Sequence, residues 1–424
     1  MVCRCPGDNK TYGYNFAYDN LSRLTSAQSL IGGVITLGYA TNYSYDKNGN
    51  LLHLRRGGQT GLSGTGIIDN LSFTLNGNQL KAVNDDATAT ASNGFEFKDG
   101  AKLATEYMYD ANGSLIKDLN KGIEIQYNLL NLPSQVKFSD GSTITYTYGA
   151  DGVKLRTVHK IGGVTTTTDY CDNVIYENGT VKQLLTEEGY VSLSDKKYHY
   201  YLKDHQGNNR VVTDQAGGME EANYYYPFGG VFLSNGNDVQ AYKYNGKELD
   251  TKKGLNWYDY GAREYDAVLG RFTTMDPASE SYYSTSPYAY CGNNPVNRID
   301  PTGADWYEDK DGNLYWQEGH GELEGYTRLG TSVSIQLGKN SYLNAYQNAG
   351  IIANQAVSAF DLIAMSPKLQ NQFLGDNSPL SETSKSELFN GLIGREMDAI
   401  ARPIGEFLVW NGAGELACLL YTSP

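Results

Sequence analysis

Two Asp-Pro dipeptides, Asp276-Pro277 and Asp300-Pro301, are the residues best suited by type to do chemistry, and Arg271 lies close to the first. Two carboxyls brought together cannot both ionise, so they share a proton. One can then activate water while the other protonates the carbonyl under attack. A guanidinium beside them can orient or hold the ionised partner. The separation of 24 positions allows this only if the chain folds back on itself. The same dipeptides also suit turns, because aspartate accepts turn hydrogen bonds and proline fixes φ. The two roles are compatible.

Other reactive residues give weaker patterns. His320 in WQEGHGELEG is flanked by Glu318, Glu322 and Glu324, which suits a general base, a metal ligand or a solvated acidic loop. His199 and His205, six positions apart, fit no common metal spacing and read as strand packing. Cys3, Cys5, Cys171, Cys291 and Cys418 are scattered, so neither a disulfide framework nor a zinc knuckle is expected. GxSxG, P-loop and HExxH motifs do not occur. No cofactor and no metal are expected.

The elements that must position these residues are strands. Tyrosine occurs 35 times against 12 phenylalanines, with 48 glycines and 11 prolines. Tyrosine suits a half-buried pleated face, and glycine supplies the positive φ of tight turns. A unit of aromatic residue, Asp or Asn, small residues and an apolar residue recurs. It reads YDNLSRL from Tyr18, YDKNGNLL from Tyr45, LNGNQLKAV from Leu75, YDANGSLI from Tyr109, YNLLNLPSQV from Tyr127 and YGADGVKL from Tyr148. Alternation in GSTITYTYG puts Ile144, Tyr146 and Tyr148 on one face. Asn48-Gly49, Asn112-Gly113, Asp140-Gly141 and Asp151-Gly152 suit type I′ or bulged hairpin loops. Each unit is thus a β-hairpin that buries its apolar face only by stacking on its neighbours.

Over residues 10–200 this pattern resembles the YD repeats of Rhs and teneurin-like proteins. The stretch from Tyr198 to Gly303 resembles the Rhs repeat-associated core domain more closely. It reads YHYYLKDHQGNNRVVTD, YYPFGG, YKYNGKELD, LNWYDYGAREYDAVLGRF and SPYAYCGNNPVNRIDPTG in order. The resemblance implies a mainly β protein: an antiparallel hairpin strip forming part of a hollow shell, with Tyr258–Phe272 as its closing turns. It also implies that Asp276 and Asp300, with Arg271, act as an intramolecular aspartyl protease that frees a C-terminal cargo. Three departures bear on this. The first motif is Asp276-Pro277-Ala278-Ser279 rather than DPxG, the gap is two residues longer, and Ala304 replaces an apolar leucine before the cut. Asn293-Asn294-Pro295 reads as closure of the core. So few hairpins cannot enclose a cargo, so the strip is expected to be open or only partly curved.

Three regions are expected: repeats over 1–197, the core over 198–303 and a variable region, a candidate toxin, over 304–424. In the last, GNLYWQEG and SVSIQLG read as short strands. Leu343, Tyr346, Ala349, Ala353, Val357, Phe360 and Ala364 fall at helical spacing, and a second helix is expected from Ser384, kinked or ended at Pro403. This makes the region α-rich or α+β. The opening MVCRCPGDNKTYGYNFAYDN enters repeat sequence directly and CLLYTSP ends abruptly, so a piece of a longer, secreted or cell-surface protein is expected.

The formal net charge of −14 repels phosphate backbones, so nucleic-acid binding by the strip is not expected. No apolar run reaches the roughly 18 residues of a membrane span. Two functions fit: delivery of a C-terminal effector, with secretion machinery and an immunity protein as partners, or a wall-associated adhesive repeat protein that binds carbohydrate or a surface ligand.

Overall fold

The computed structural model describes residues 2–4, 11–61, 64–236, 239–277, 279, 285–300 and 303, and eight strands between 306 and 420. The chain divides into two compact units, Met1–Ala304 and Asp305–Pro424.

The first unit is built from two antiparallel ladders in strict sequence order. The first has seven strands: β1 (Val2–Arg4), β2 (Thr11–Tyr18), β3 (Leu24–Ile31), β4 (Val34–Tyr45), β5 (Leu51–Gln59), β6 (Thr65–Asn76) and β7 (Gln79–Asp85). The second has fourteen. They are β8 (Tyr107–Tyr109), β9 (Leu115–Asp118), β10 (Ile123–Tyr127), β11 (Pro133–Phe138), β12 (Thr143–Tyr148), β13 (Lys154–Ile161), β14 (Val164–Cys171), β15 (Val174–Glu177), β16 (Thr180–Thr186), β17 (Gly189–Ser192), β18 (Lys197–Lys203), β19 (Asn209–Asp214), β20 (Met219–Tyr225) and β21 (Val231–Gly236). This is the expected hairpin strip. Ile144 and Tyr146 are buried and Tyr148 packs against the same core.

The repeated motif builds its turn in one way. The Asp110 carboxylate accepts the backbone N–H groups of Asn112 at 2.9 Å and Ser114 at 2.8 Å. Asp46 does the same for Asn48 and Asn50, and Asp204 for Gln206 and Asn208. The fourth turn residue must turn left-handed. Gly113 has φ +76°, and a side chain there would run into Met275 and Tyr288. The extra residue makes a bulge, visible as a register shift at Met108/Tyr109 and at Ser44/Tyr45. The motif tyrosine reaches back one hairpin. Tyr45 donates its hydroxyl to the Leu24 carbonyl at 2.6 Å, Tyr127 to Leu115 at 2.7 Å and Tyr225 to Asn209 at 2.9 Å. Each acceptor sits five positions after the first residue of the preceding turn. The aspartate therefore closes its own turn, and the tyrosine fastens it to the last.

No strand pairing joins the two ladders among the described residues, so both stay open. Tertiary contacts hold them together instead, with the last strand of the second ladder packed against the middle of the first and the Phe95 N–H donating to the Val231 carbonyl of β21 at 2.6 Å. Tyr39 on β4 stacks on Phe232 on β21 with ring centroids 4.4 Å apart. The Tyr226 hydroxyl donates to the Gly57 carbonyl at 2.6 Å.

Residues 248–272 do not form closing turns of the strip. They form a separate antiparallel sheet of β22 (Glu248–Asp250), β23 (Trp257–Asp259), β24 (Glu264–Asp266) and β25 (Arg271–Phe272). The reason is aromatic density. Trp257, Tyr258, Tyr260, Tyr265, Phe272 and Tyr290 are all 1 % exposed or less, and they share one core with Leu54, Val136 and Ile144 of the strip. Full burial of one such side chain contributes roughly 1.5–3 kcal/mol. A buried ion pair locks the layers: Arg56 Nε lies 2.7 Å from Asp69 and its Nη1 donates to the Val268 carbonyl at 2.7 Å.

In the second unit every described element is a strand. Leu314–Trp316 and Ser332–Gln336 fall where short strands are expected. Tyr342–Tyr346 and Gly350–Ala353 pair as an antiparallel hairpin, which corrects the helix expected from Leu343. Over so short a span, helical spacing and strand alternation place many of the same apolar residues, and the β-branched Ile351 and Ile352 favour the strand. The rest of that helix, and the one from Ser384, lie outside the described residues.

Candidate active site

Asp276, Asp300 and a guanidinium do meet, but the guanidinium is that of Arg263. Its Nη2 lies 3.1 Å from Asp276 Oδ2 and 3.5 Å from Asp300 Oδ2. The two carboxylates are therefore gathered on a single nitrogen. Arg263 stands at the head of β24, where the chain returns from β23, and its guanidinium lies over the Phe272 ring at 3.7 Å. Its Nη1 donates to the Pro287 carbonyl at 3.3 Å and its Nε to the Gly303 carbonyl. Every edge of the fork is used, which fixes the geometry.

Arg271 has other work. Its Nη2 donates to the Asn78 carbonyl at 2.8 Å and its guanidinium lies over Tyr288 at 4.7 Å. Sequence proximity to Asp276 suggested it. The signal for Arg263 was a lone arginine inside the aromatic run WYDYGAREYD, since a buried guanidinium needs carboxylates to face.

The two carboxyls differ in setting. Asp300 is 2 % exposed, and burial raises its carboxyl to about 6. Arg263 and the Gly303 N–H oppose that rise, while Asp276 adds to it. Asp276 is more open, with its side chain 15 % exposed. Its backbone N–H donates to the Pro287 carbonyl at 2.8 Å and its carbonyl accepts from Ser279 at 3.0 Å, so the first motif is also a turn.

The chain beyond Asp300 is held against the pair. The Gly303 N–H donates to Asp300 Oδ1 at 2.6 Å while its carbonyl takes the Arg263 Nε proton. Gly303 has φ +81°, and a Cβ there would lie 3.1 Å from the Arg263 backbone nitrogen. Only glycine fits both demands. Ala304 and Asp305 lie outside the described residues.

The remaining candidates serve packing. His199 stacks on Tyr190 at 4.4 Å and bonds Glu220. His205 faces the Val296 carbonyl at 3.3 Å. Asn293 is buried, and its Nδ2 donates to the Gly49 carbonyl at 2.7 Å, pinning the core to the β4–β5 turn. Cys171 and Cys291 are free thiols, exposed and buried respectively. No His, Cys, Asp and Glu group among the described residues could hold a metal ion, and no described helix is long and apolar enough to cross a membrane. His320 and its glutamates lie outside the described residues.

No protein-family model matches the chain. Among curated proteins it is 33 % identical over 235 residues to salivary gland surface protein 1 of Aedes aegypti, covering 49 % of this chain and 7 % of that protein. It is 29 % identical over 301 residues to the tRNA3(Ser)-specific nuclease WapA of Bacillus spizizenii, covering 68 % of this chain and 12 % of the nuclease. The chain thus spans a small part of the relatives' length. Among solved structures, TcdB2-TccC3-Cdc42 superposes on 72 % of this chain and 17 % of its own with a TM-score of 0.50 at 19 % identity, a likeness of fold. With its stacked hairpins, their shared Tyr-Asp turns and these relatives, the chain is similar to the Rhs/YD-repeat proteins.

Proposed function

We propose that this chain is the shell-and-core portion of a polymorphic-toxin-like Rhs protein that holds a C-terminal effector and releases it by hydrolysing its own backbone just after Ala304. One observation carries the reading: Asp276, Asp300 and the Gly303 carbonyl all converge on the Arg263 guanidinium. Asp300, protonated up to about pH 6, is the natural acid. The more open Asp276 is the base that takes a proton from water. Water adds to the carbonyl carbon, the amine leaves with the acid's proton, and Arg263 holds whichever carboxylate is charged. Strip and core position the reacting peptide, and residues 305–424 are the released portion.

The test is direct. Purified protein incubated at pH 5–6 should yield a fragment starting near Asp305, seen by intact mass. Asp276→Asn and Asp300→Asn should each slow its appearance by about 10²-fold or more while leaving the circular dichroism unchanged. A chain that stays whole at every pH reduces both Asp-Pro pairs to turns.

The likeness to a salivary gland surface protein supports a second reading, a secreted or cell-surface adhesive repeat protein without enzymatic cargo. Expressing residues 305–424 in bacteria separates the two: growth arrest supports the effector, and normal growth supports adhesion.

A further inference from the structure

The face of the four-stranded sheet opposite its aromatic core carries an arrangement that sheets ordinarily avoid. Glu248 on β22 pairs directly with Asp259 on β23, which pairs directly with Glu264 on β24. Three carboxylates in opposed register repel one another and weaken the sheet. One cation relieves two of them: Lys154 Nζ lies 2.8 Å from Glu248 and 2.5 Å from Asp259. Asp250, on the same face, meets His159 at 2.8 Å. Glu264 is left over. It is 7 % exposed, and among the described residues its carboxyl has no hydrogen bond and no ion pair.

Glu264 lines a cavity of about 250 Å³ between this sheet and the strip. That is several times the roughly 30 Å³ share of one water. Tyr146, Tyr170 and Trp257 form aromatic walls, and Lys154 already lies over the Tyr170 ring at 4.8 Å. Gln240 lines the same cavity, and its buried side-chain nitrogen has no acceptor. No group of three ligating side chains among the described residues could hold a metal ion. The cavity therefore offers an unpaired acid, aromatic faces that favour cations and an amide donor awaiting an oxygen.

We propose that this cavity binds a residue of arginine or lysine type, its cationic head on Glu264 and its carbonyl or carboxylate oxygen facing Gln240. Burial and the neighbouring Asp259 hold the Glu264 carboxyl well above the usual range, so an incoming cation drives its ionisation and releases a proton. The site lies on the other face of β24 from Arg263 and is independent of the proposed cleavage.

Calorimetric titration of the full chain with free arginine and with the blocked peptide acetyl-Gly-Arg-Gly-amide tests this. We expect saturable one-to-one binding of at least one probe, with proton release measured in two buffers. The probe that binds identifies whether the ligand is a free amino acid or a side chain on a polypeptide. Glu264→Gln should weaken binding by about tenfold or more, the loss of roughly 1.4 kcal/mol, with an unfolding midpoint at or above that of the parent. If that variant does not fold, Gln240→Leu should show the same direction of loss. Failure of both probes to saturate below about 10 mM, or undiminished binding by Glu264→Gln, overturns the proposal.

Discussion

At Asp300 burial and charge pull in opposite directions. Loss of water raises the carboxyl to about 6, while Arg263 and the Gly303 N–H favour its ionised form. Because the folded value lies above the unfolded one, the stability this group contributes is full below about pH 4. It is lost as pH rises through about 6. Asp118, also raised to about 6 by burial, acts with the same sign. Thermal unfolding should therefore show a midpoint that falls between about pH 4 and 6 and levels off above that, and Asp118→Asn should flatten part of that fall. Self-cleavage should decline as pH rises through about 6, measured as initial rate of fragment formation, because the acid loses its proton. Arg263→Lys should slow cleavage by about tenfold or more, since a point charge cannot reproduce the fork that touches Asp276, Asp300, Pro287 and Gly303. An unchanged rate in that variant would remove Arg263 from the site. The aspartates were legible because Asp-Pro is a local signal. Arg263 was not, since its meeting with Gly303, 40 positions on, is made by the sheet and not by the sequence around either residue.

At the level of the hairpin, one residue serves the turn and its neighbour serves the stack. Removing the Tyr45 hydroxyl by Tyr45→Phe deletes the bond to Leu24 and should cost about 0.5–1.5 kcal/mol in denaturant unfolding. Asp110→Ala removes two turn hydrogen bonds at once and should cost more, about 1–3 kcal/mol. If the two variants cost the same, the division of labour between the residues is wrong. This element was readable because its cause is local: an acceptor two and four residues before the amides it holds. Where the motif lacks aspartate or glycine the turn survives by substitution. Asn128 accepts the same pair of amides, and Asn131 and Ser22 adopt the left-handed φ. The sheet of residues 248–272 was not readable as a sheet. Its strands are two or three residues long, too short for alternation to show, and they exist because the strip wraps them.

For the first unit as a whole, strand pairing runs along each ladder and stops, and aromatic side chains with a few isolated hydrogen bonds make the remaining joint. Phe232 sits at that joint, 5 % exposed, with the rings of Tyr39, Tyr226 and Tyr224 within 6 Å. Phe232→Ala should cost about 3–5 kcal/mol. Hydrogen exchange should localise the added opening to β4 and β21 and leave β10–β13 protected. Uniform loss of protection across both ladders would show that the joint is not a separate unit. The hydrophobic periodicity of the repeats foretold a strip. It did not foretell where the two ladders would touch, because Tyr39 and Phe232 are 193 positions apart and nothing near either residue marks the other.

Two ladders joined this way have a preferred line of failure under load. Pulling along a ladder must shear many hydrogen bonds together, whereas parting Tyr39 from Phe232 breaks ring contacts and a few isolated hydrogen bonds, such as Tyr226 to Gly57 and Phe95 to Val231. Stretched in a force spectrometer, the first unit should yield along this seam at low force and reseal on relaxation with every hairpin intact. The joint would act as a hinged clasp, loosened by tension alone.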